Sequence, residues 1–191
     1  IRRGLEKLGE KQMFLGSRMF DSRDGGFLSD ETIDSILVAS YEMGRAKTGA
    51  LIVVENAIML TEYESTGIEL DCLVSSQILM NIFEHNTPLH DGAIIIRNNR
   101  IVAATCYLPL SDNMALSKAL GTRHRAAVGM SEVSDALVIA VSEETGRVAV
   151  AKGGDIRRGV KRSELRDMLV EIRDLNRRPK RTSLIERWKG R

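Results

Sequence analysis

Two short stretches carry most of the side chains that could do chemistry. In GTRHRAA, residues 121–127, a Gly-Thr step opens a helical pattern and sets unpaired backbone N–H groups beside the guanidinium groups of Arg123 and Arg125. Free donors at a helix start, joined by forked cationic donors, suit a phosphate. A solvated basic turn has the same composition, and His124 alone reads as a surface or packing histidine. Arginines two apart cannot share one helix face, so Arg123 and Arg125 should serve different partners. In TPLHDGAIII, residues 87–96, a carboxylate stands at the mouth of an apolar run. Asp91 there can hold a divalent cation, His90 is a candidate second ligand, and Gly92 lets a ligand approach the backbone closely. A lone His-Asp pair also serves as a turn device. Ser142-Glu143-Glu144 follows the apolar run ALVIAV and could bring a hydroxyl and carboxylates to the same edge, although alone it reads as an ordinary turn.

Taken together these groups form one phosphate cradle, one metal-type carboxylate and one polar strand end, which points to nucleotide chemistry. The sequence has no Gly-rich P-loop ending in Lys-Ser/Thr, no GxGxxG after a strand, and no nucleophile with a base at a recognisable spacing. The familiar ATPases, dehydrogenases and hydrolases are disfavoured.

The elements that must position these groups follow from periodicity. Ser29 or Asp30 can cap a helix with Ile33, Ile36, Leu37, Ser40 and Tyr41 on one face, ending near Thr48-Gly49. ALIVVEN reads as a buried strand and TGIELDCLVS as an extended segment. A second helix carries Ile78, Leu79, Ile82 and Phe83 and ends at Asn86 and Pro88. AIII and RIVAATCYLPL form a hairpin through Arg97-Asn98-Asn99-Arg100, and DALVIAVS and RVAVAK form another around EETG. A short helix from Gly121-Thr122 lies between the hairpins, and SELRDMLVEIRDLNRR makes a basic carboxy-terminal helix. Strands such as ALVIAV are apolar throughout, so the fold class is α/β, a central mixed β-sheet with helices packed on both faces.

Composition bounds the class without naming it. The 191 residues are 43% hydrophobic and 28% charged, as expected of one globular domain, and 28 basic residues against 26 acidic ones leave a net charge of only +2. That balance provides no global field to attract nucleic acid. Cys72 and Cys106 have neither metal-ligand spacing nor a disulfide framework and read as reduced and buried. No apolar run approaches the roughly 20 residues that span a bilayer.

With DGA at 91–93 and GTRHRAA at 121–127 in one chain, and NTPLHDGA, CYLPLS, GTRHRAAVG and VSEETG around them, the sequence resembles the diadenylate cyclase (DAC, DisA_N-type) domain over roughly residues 30–155. It is most similar to the membrane-anchored bacterial members of that family. The resemblance implies that two ATP condense to cyclic di-AMP and two pyrophosphates, each 3′-hydroxyl attacking the other nucleotide's α-phosphate with a divalent metal ion (Mn²⁺, Mg²⁺ or Co²⁺). By the same resemblance Asp91 would bind the metal and help deprotonate the hydroxyl, with His90 and Glu144 as further ligands. Gly92, Ala93, Gly121, Thr122, Arg123, Ser142 and Glu143 would surround the nucleotide, and Leu108 would meet adenine through its backbone. Arg123, His124 and Arg125 would complete the catalytic signature. A non-catalytic nucleotide-binding regulatory module is the alternative.

The expected division is a basic juxtamembrane helix and loop over 1–29, the catalytic domain over 30–160, and a basic helix and tail over 161–191. The expected partners are a second copy in an active homodimer, a bacterial cell membrane reached on its cytoplasmic face through segments outside this chain, and regulatory proteins. The fragment itself is expected to be soluble.

Overall fold

The computed structural model describes residues 28–114, 116 and 120–177, so the basic opening and the final tail lie outside the described residues. The first helix, α1 (Asp30–Ala46), starts where the Ser29 hydroxyl accepts the Thr32 N–H, with Asp30 and Glu31 in its first turn where the helix dipole favours acidic groups. It ends at Lys47, whose left-handed φ of 55° turns its N–H back onto the carbonyls of Met43 and Gly44. Then come β1 (Ala50–Val54), α2 (Thr61–Glu64), β2 (Ile68–Leu73), α3 (Ser76–Ile82), β3 (Ala93–Arg97) and β4 (Arg100–Cys106). After them come α4 (Thr122–Val133), β5 (Leu137–Val141), β6 (Val148–Lys152), β7 (Asp155–Arg158) and α5 (Arg162–Arg177).

The strands form one seven-stranded sheet in the order β2-β4-β3-β1-β5-β6-β7. Only β1 and β3 run parallel; the other neighbours are antiparallel. Alternate residues of a strand face opposite sides, which explains why the central strands are apolar throughout. Ile52, Val54, Ile94, Ile96, Ile139 and Val141 join one core with α1, α3 and α5. Leu51, Val53, Ile95 and Val138 join the other with Ala126, Ala127 and Met130 of α4. The mixed α/β layout read from the sequence is therefore present, with helices on both faces. Leu165, Leu169 and Ile172 of α5 are buried in the first core, and Arg166 and Arg173 pair with Asp34 and Asp30 of α1.

Several details differ from the sequence reading. The helix α3 stops at Ile82, short of Asn86, and the Thr87 hydroxyl donates to the freed Ile82 carbonyl. Strand β7 carries the polar sequence DIRR, which has no apolar alternation to reveal it; Gly153-Gly154, at φ 60° and 87°, makes the tight turn that folds it onto β6. The single turn α2 has no buried residue and so no periodic face. Cys106 is buried as expected, its thiol pushed up to about 11, first by burial and then by Glu64, whereas Cys72 is only half-buried. Among the described residues no helix is long and apolar enough to cross a membrane.

Polar pins fix both ends of the central strands. At one end Arg97 bridges Glu55 and Glu64 at 2.6 Å each, and the Asn99 side chain accepts from the Ser29 N–H and the Thr32 hydroxyl. The edge strand β2 is broken at Glu69/Cys72 by a register shift around Asp71, whose φ is 46° and whose carboxylate meets Arg100 at 2.5 Å. At the other end the turn after β5 is seated against α1. A Cβ on Gly44 would lie 2.5 Å from the Gly146 carbonyl oxygen.

That contact gives a prediction whose sign is informative. Alanine is worth about 1 kcal/mol over glycine inside a helix, so Gly44→Ala would stabilise an unobstructed α1. Against a backbone carbonyl the clash should outweigh this, with net destabilisation of about 1–2 kcal/mol. Urea unfolding reads the difference directly, and a raised midpoint would mean that the turn is not seated on α1.

Candidate active site

Strand registers decide which groups meet. Ile52 pairs with Ile94 and Ala50 with Val141, so the start of β3, the start of β1 and the end of β5 lie level at one edge of the sheet. Ala93 pairs with Cys106, which adds the end of β4, and Val141 pairs with Val148, which adds the start of β6. Along this edge the order is Leu108 after β4, Asp91-Gly92 before β3, Gly49 before β1, and Ser142-Glu143-Glu144 after β5. Neighbouring strands are about 4.8 Å apart, so Asp91 and Ser142 stand about 10 Å from each other across β1.

The residues around Asp91 are unusually constrained. Its carboxylate is exposed and accepts the N–H of Gly92 at 3.0 Å. Gly92 has φ 87°, and a Cβ there would lie 2.9 Å from the backbone of Thr105 and Cys106, so no other residue fits. Thr105 itself has φ 59°, a strained conformation for a β-branched residue, and its hydroxyl is buried with no hydrogen-bond partner. This strained step, invisible in the sequence, presses the β4 backbone against the Asp91-Gly92 turn. Ala93 is fully buried as the first residue of β3. Nδ1 of His90 lies 2.6 Å from the Thr87 carbonyl oxygen and donates its proton there, which leaves Nε2 as the ring's free acceptor.

Opposite stands α4. Gly121 caps it with extended backbone, no side chain caps it, and a Cβ on Gly121 would meet nothing within 4 Å. The N–H groups of its first turn therefore open into a cleft of about 180 Å³ lined by Gly121, Thr122, Arg123, His124 and Ser142-Glu143-Glu144. The Ser142 hydroxyl accepts the Thr145 N–H and shapes the turn. Arg123 reaches Glu143 at 2.7 Å directly over Gly49, where any Cβ would strike the guanidinium at 2.7 Å. Arg125 points elsewhere, its guanidinium 3.5 Å from the Ser111 carbonyl, so the two arginines do serve different partners. His124 is half-buried in the cleft. Burial, and after it the Arg158 guanidinium, hold its pKa below the ordinary histidine range, with Glu144 opposing, so the ring is neutral at pH 7.

The structure thus brings Gly121, Thr122, Arg123, His124, Ser142, Glu143 and Glu144 into one cleft, with Asp91, Gly92 and Leu108 farther along the same edge. It does not gather His90, Asp91 and Glu144 into one ligand set. Among the described residues no cluster of three His, Cys, Asp or Glu could hold a metal ion, because β1 separates Asp91 from Glu144. The donors fit a hard cation that takes one carboxylate from the protein and its remaining oxygens from phosphate and water, the usual arrangement for Mg²⁺ on a nucleotide. Sequence reasoning missed Gly49, Thr145, Arg147 and Arg158. The last three also line the cleft, and only the strand register could have revealed them.

Known proteins resemble the chain over most of its length. The family described as DisA bacterial checkpoint controller nucleotide-binding (DAC) matches residues 38–156. The chain is 49% identical over 172 residues to cyclic di-AMP synthase CdaA of Bacillus subtilis (strain 168), which covers 88% of this chain and 60% of that protein. It is 46% identical to a diadenylate cyclase of Listeria monocytogenes serotype 1/2a, covering 100% of this chain and 68% of the relative. The crystal structure of a double mutant of DacA from Staphylococcus aureus superposes with a TM-score of 0.74 at 47% identity, over 75% of this chain and 95% of that one. The chain therefore spans about three fifths of the Bacillus relative's length. The matched segment contains Asp91, the start of α4 and the turn after β5, and the chain belongs to the DAC family.

Proposed function

We propose that this chain is the catalytic domain of a diadenylate cyclase, which joins two ATP into cyclic di-AMP and releases two pyrophosphates. The observation that carries the reading is the register that sets Asp91, the open start of α4 and Ser142-Glu143-Glu144 along one sheet edge. In each half-reaction the 3′-oxygen of one nucleotide forms a bond to the α-phosphorus of the other. The bond from that phosphorus to the pyrophosphate oxygen breaks, and the hydroxyl proton passes to the Asp91 carboxylate. The N–H groups of Thr122 and Arg123, with the Arg123 guanidinium, take up charge on the phosphate oxygens. Leu108, at the far side of Asp91, is on the side proposed for adenine. A divalent ion held by Asp91, with its remaining oxygens drawn from phosphate and water, would supply charge neutralisation for the phosphates.

Nucleotidyl transfer of this kind depends on position more than on covalent help from the protein, so a carboxylate fixed by a strained backbone is well suited to it. The chain has one Asp91 edge and one α4 start, while the product joins two nucleotides symmetrically. Two copies related by a two-fold axis would bring each 3′-hydroxyl to the other's α-phosphate. Membrane attachment at the cytoplasmic face would come through segments outside these residues, with Arg2, Arg3 and Lys7 on the cytoplasmic side.

Incubation with ATP and Mn²⁺ or Mg²⁺, followed by mass spectrometry, tests the reading; unchanged ATP that nevertheless binds would indicate a regulatory nucleotide-binding module. Asp91→Asn should keep ATP binding and lose at least about 100-fold in turnover, since a metal donor and proton acceptor are removed together. Near-normal turnover would remove Asp91 from the chemistry. Arg123→Ala should weaken ATP binding by about tenfold or more, because charge-assisted hydrogen bonds are lost, and an unchanged titration would contradict its role. Specific activity at saturating ATP should fall as the enzyme is diluted through its dimer dissociation range. Constant activity per chain, with sedimentation showing only monomers, would mean that one chain binds both nucleotides.

A further inference from the structure

The end of the sheet opposite the reaction edge has a surface of its own. The registers place the ends of β1, β3 and β6 there, with the starts of β5 and β7. Just past β1 the N–H groups of Ala57 and Ile58 and the Asn56 side-chain amide all donate to the Asp135 carboxylate, at 3.0–3.1 Å. Three bonds to one carboxylate hold this loop in place, yet what it displays is apolar: Ile58 is 50% exposed and Met59 63%. Val133, two residues before Asp135 at the end of α4, is 54% exposed. Exposed apolar side chains scattered singly are ordinary, whereas three grouped around one fixed loop form a patch, and such patches serve contacts.

The surround of the patch is acidic. Glu132 adjoins Val133, Glu62 follows Met59 in α2, and both are exposed. The turn between β6 and β7 closes on α4 through the Gly154 N–H, which donates to the Ser131 hydroxyl at 3.1 Å, and it brings exposed Asp155. Lys152 at that turn is taken up by Glu171 of α5. Over the described residues acidic side chains outnumber basic ones by 21 to 15, whereas the whole chain has a net charge of +2. Much of the balancing charge is in residues 178–191, RPKRTSLIERWKGR, with six basic residues and one acidic. That segment also leaves from this end, because Arg173 of α5 pairs with Asp30, and Ser29 beside it is bonded to Asn99 in the β3–β4 turn. Passing from α5 on one face of the sheet to α4 on the other takes about 20 Å, two layers of about 10 Å. The eleven residues from Arg178 to Trp188 reach about 35 Å when extended.

We propose that residues 178–191 fold back over the Ile58-Met59 loop and Val133 of their own chain. Leu184, Ile185 and Trp188 cover the apolar patch, and the basic residues among them face Glu62, Glu132 and Asp155. Burial of apolar area supplies the attraction, and the exposed ion pairs, each weak, set the placement. The tether makes the contact intramolecular, so a small interface suffices. The contact stands at the opposite end of the strands from Asp91 and is independent of the cyclase reading.

Trp188 is the chain's single tryptophan, so its fluorescence reports the contact in the whole chain without a label. Its emission should be blue-shifted and shielded from acrylamide, to the same degree at every protein concentration and without lipid. Ile58→Asp should lower the docking constant about tenfold, as loss of one largely covered apolar side chain implies, and so shift the emission to the red and raise quenching. Glu62→Gln and Asp155→Asn should each lower it by about twofold, the scale of an exposed ion pair. Met59→Ser gives a second, milder loss of apolar cover if Ile58→Asp unfolds, which circular dichroism would reveal. Trp188 emission typical of free indole in the unsubstituted chain, or unchanged by both apolar substitutions, overturns the proposal. Shielding that grows with protein concentration would make a second copy the occupant, and shielding seen only with phosphatidylglycerol vesicles would make the segment a membrane contact; either result also overturns it.

Discussion

Backbone pairing across β3, β1 and β5 sets where every charged group at the working edge of the sheet can be. A slip of one residue in either pairing would turn each strand's apolar side chains to the wrong face, and both faces are buried, so the register is held by both cores together. Asp91 and Ser142 cannot drift along their strands without forcing Ile94 or Ile139 into the core on the other face. The isoleucines that look like filler after Asp91 are thus what fixes its height at the edge.

Where the sheet fixes position, the turns fix direction, and they do so by excluding side chains. Gly92 lies against the backbone of β4, Gly49 lies under the Arg123–Glu143 pair, and Gly44 meets the Gly146 carbonyl. The Arg123–Glu143 pair is itself weak. With Arg123 about a quarter exposed and Glu143 nearly two thirds, it is worth at most about 1 kcal/mol, so a phosphate can compete for the guanidinium at little cost. The Arg97–Glu55 pair, whose carboxylate is buried, could not be reassigned so cheaply, and it stands at the opposite end of the strands.

Much of this was legible in the sequence because apolar periodicity and turn residues record it. The two hairpins, the cap at Ser29, the separate duties of Arg123 and Arg125, and the helix opening at Gly121-Thr122 all follow from local pattern. The four-residue strand β7 and the single turn α2 escaped because neither has a buried stripe of its own. The cleft's outer arginines escaped for a different reason. Arg147 and Arg158 are eleven residues apart in sequence, and only the β6–β7 pairing makes them neighbours. Left-handed Thr105 could not be read at all, since the strain belongs to the packing of β4 on Gly92 and threonine ordinarily favours extended backbone. For the proposed metal donors His90, Asp91 and Glu144, the family resemblance suggested a shared centre, whereas the sheet inserts β1 between two of them.

The two borders of the sheet are both poor templates for another strand. On one side, the break in β2 at left-handed Asp71, clamped by Arg100, interrupts the run of free N–H and C=O groups that an incoming chain would need. On the other, β7 is four residues long and largely charged. A protein that works as the face-to-face pair proposed above would be exposed to a competing mode of self-association, in which copies zip border to border into open-ended ribbons with their reaction edges apart. Blunted borders close that route and leave the proposed face-to-face pairing without a rival along the sheet.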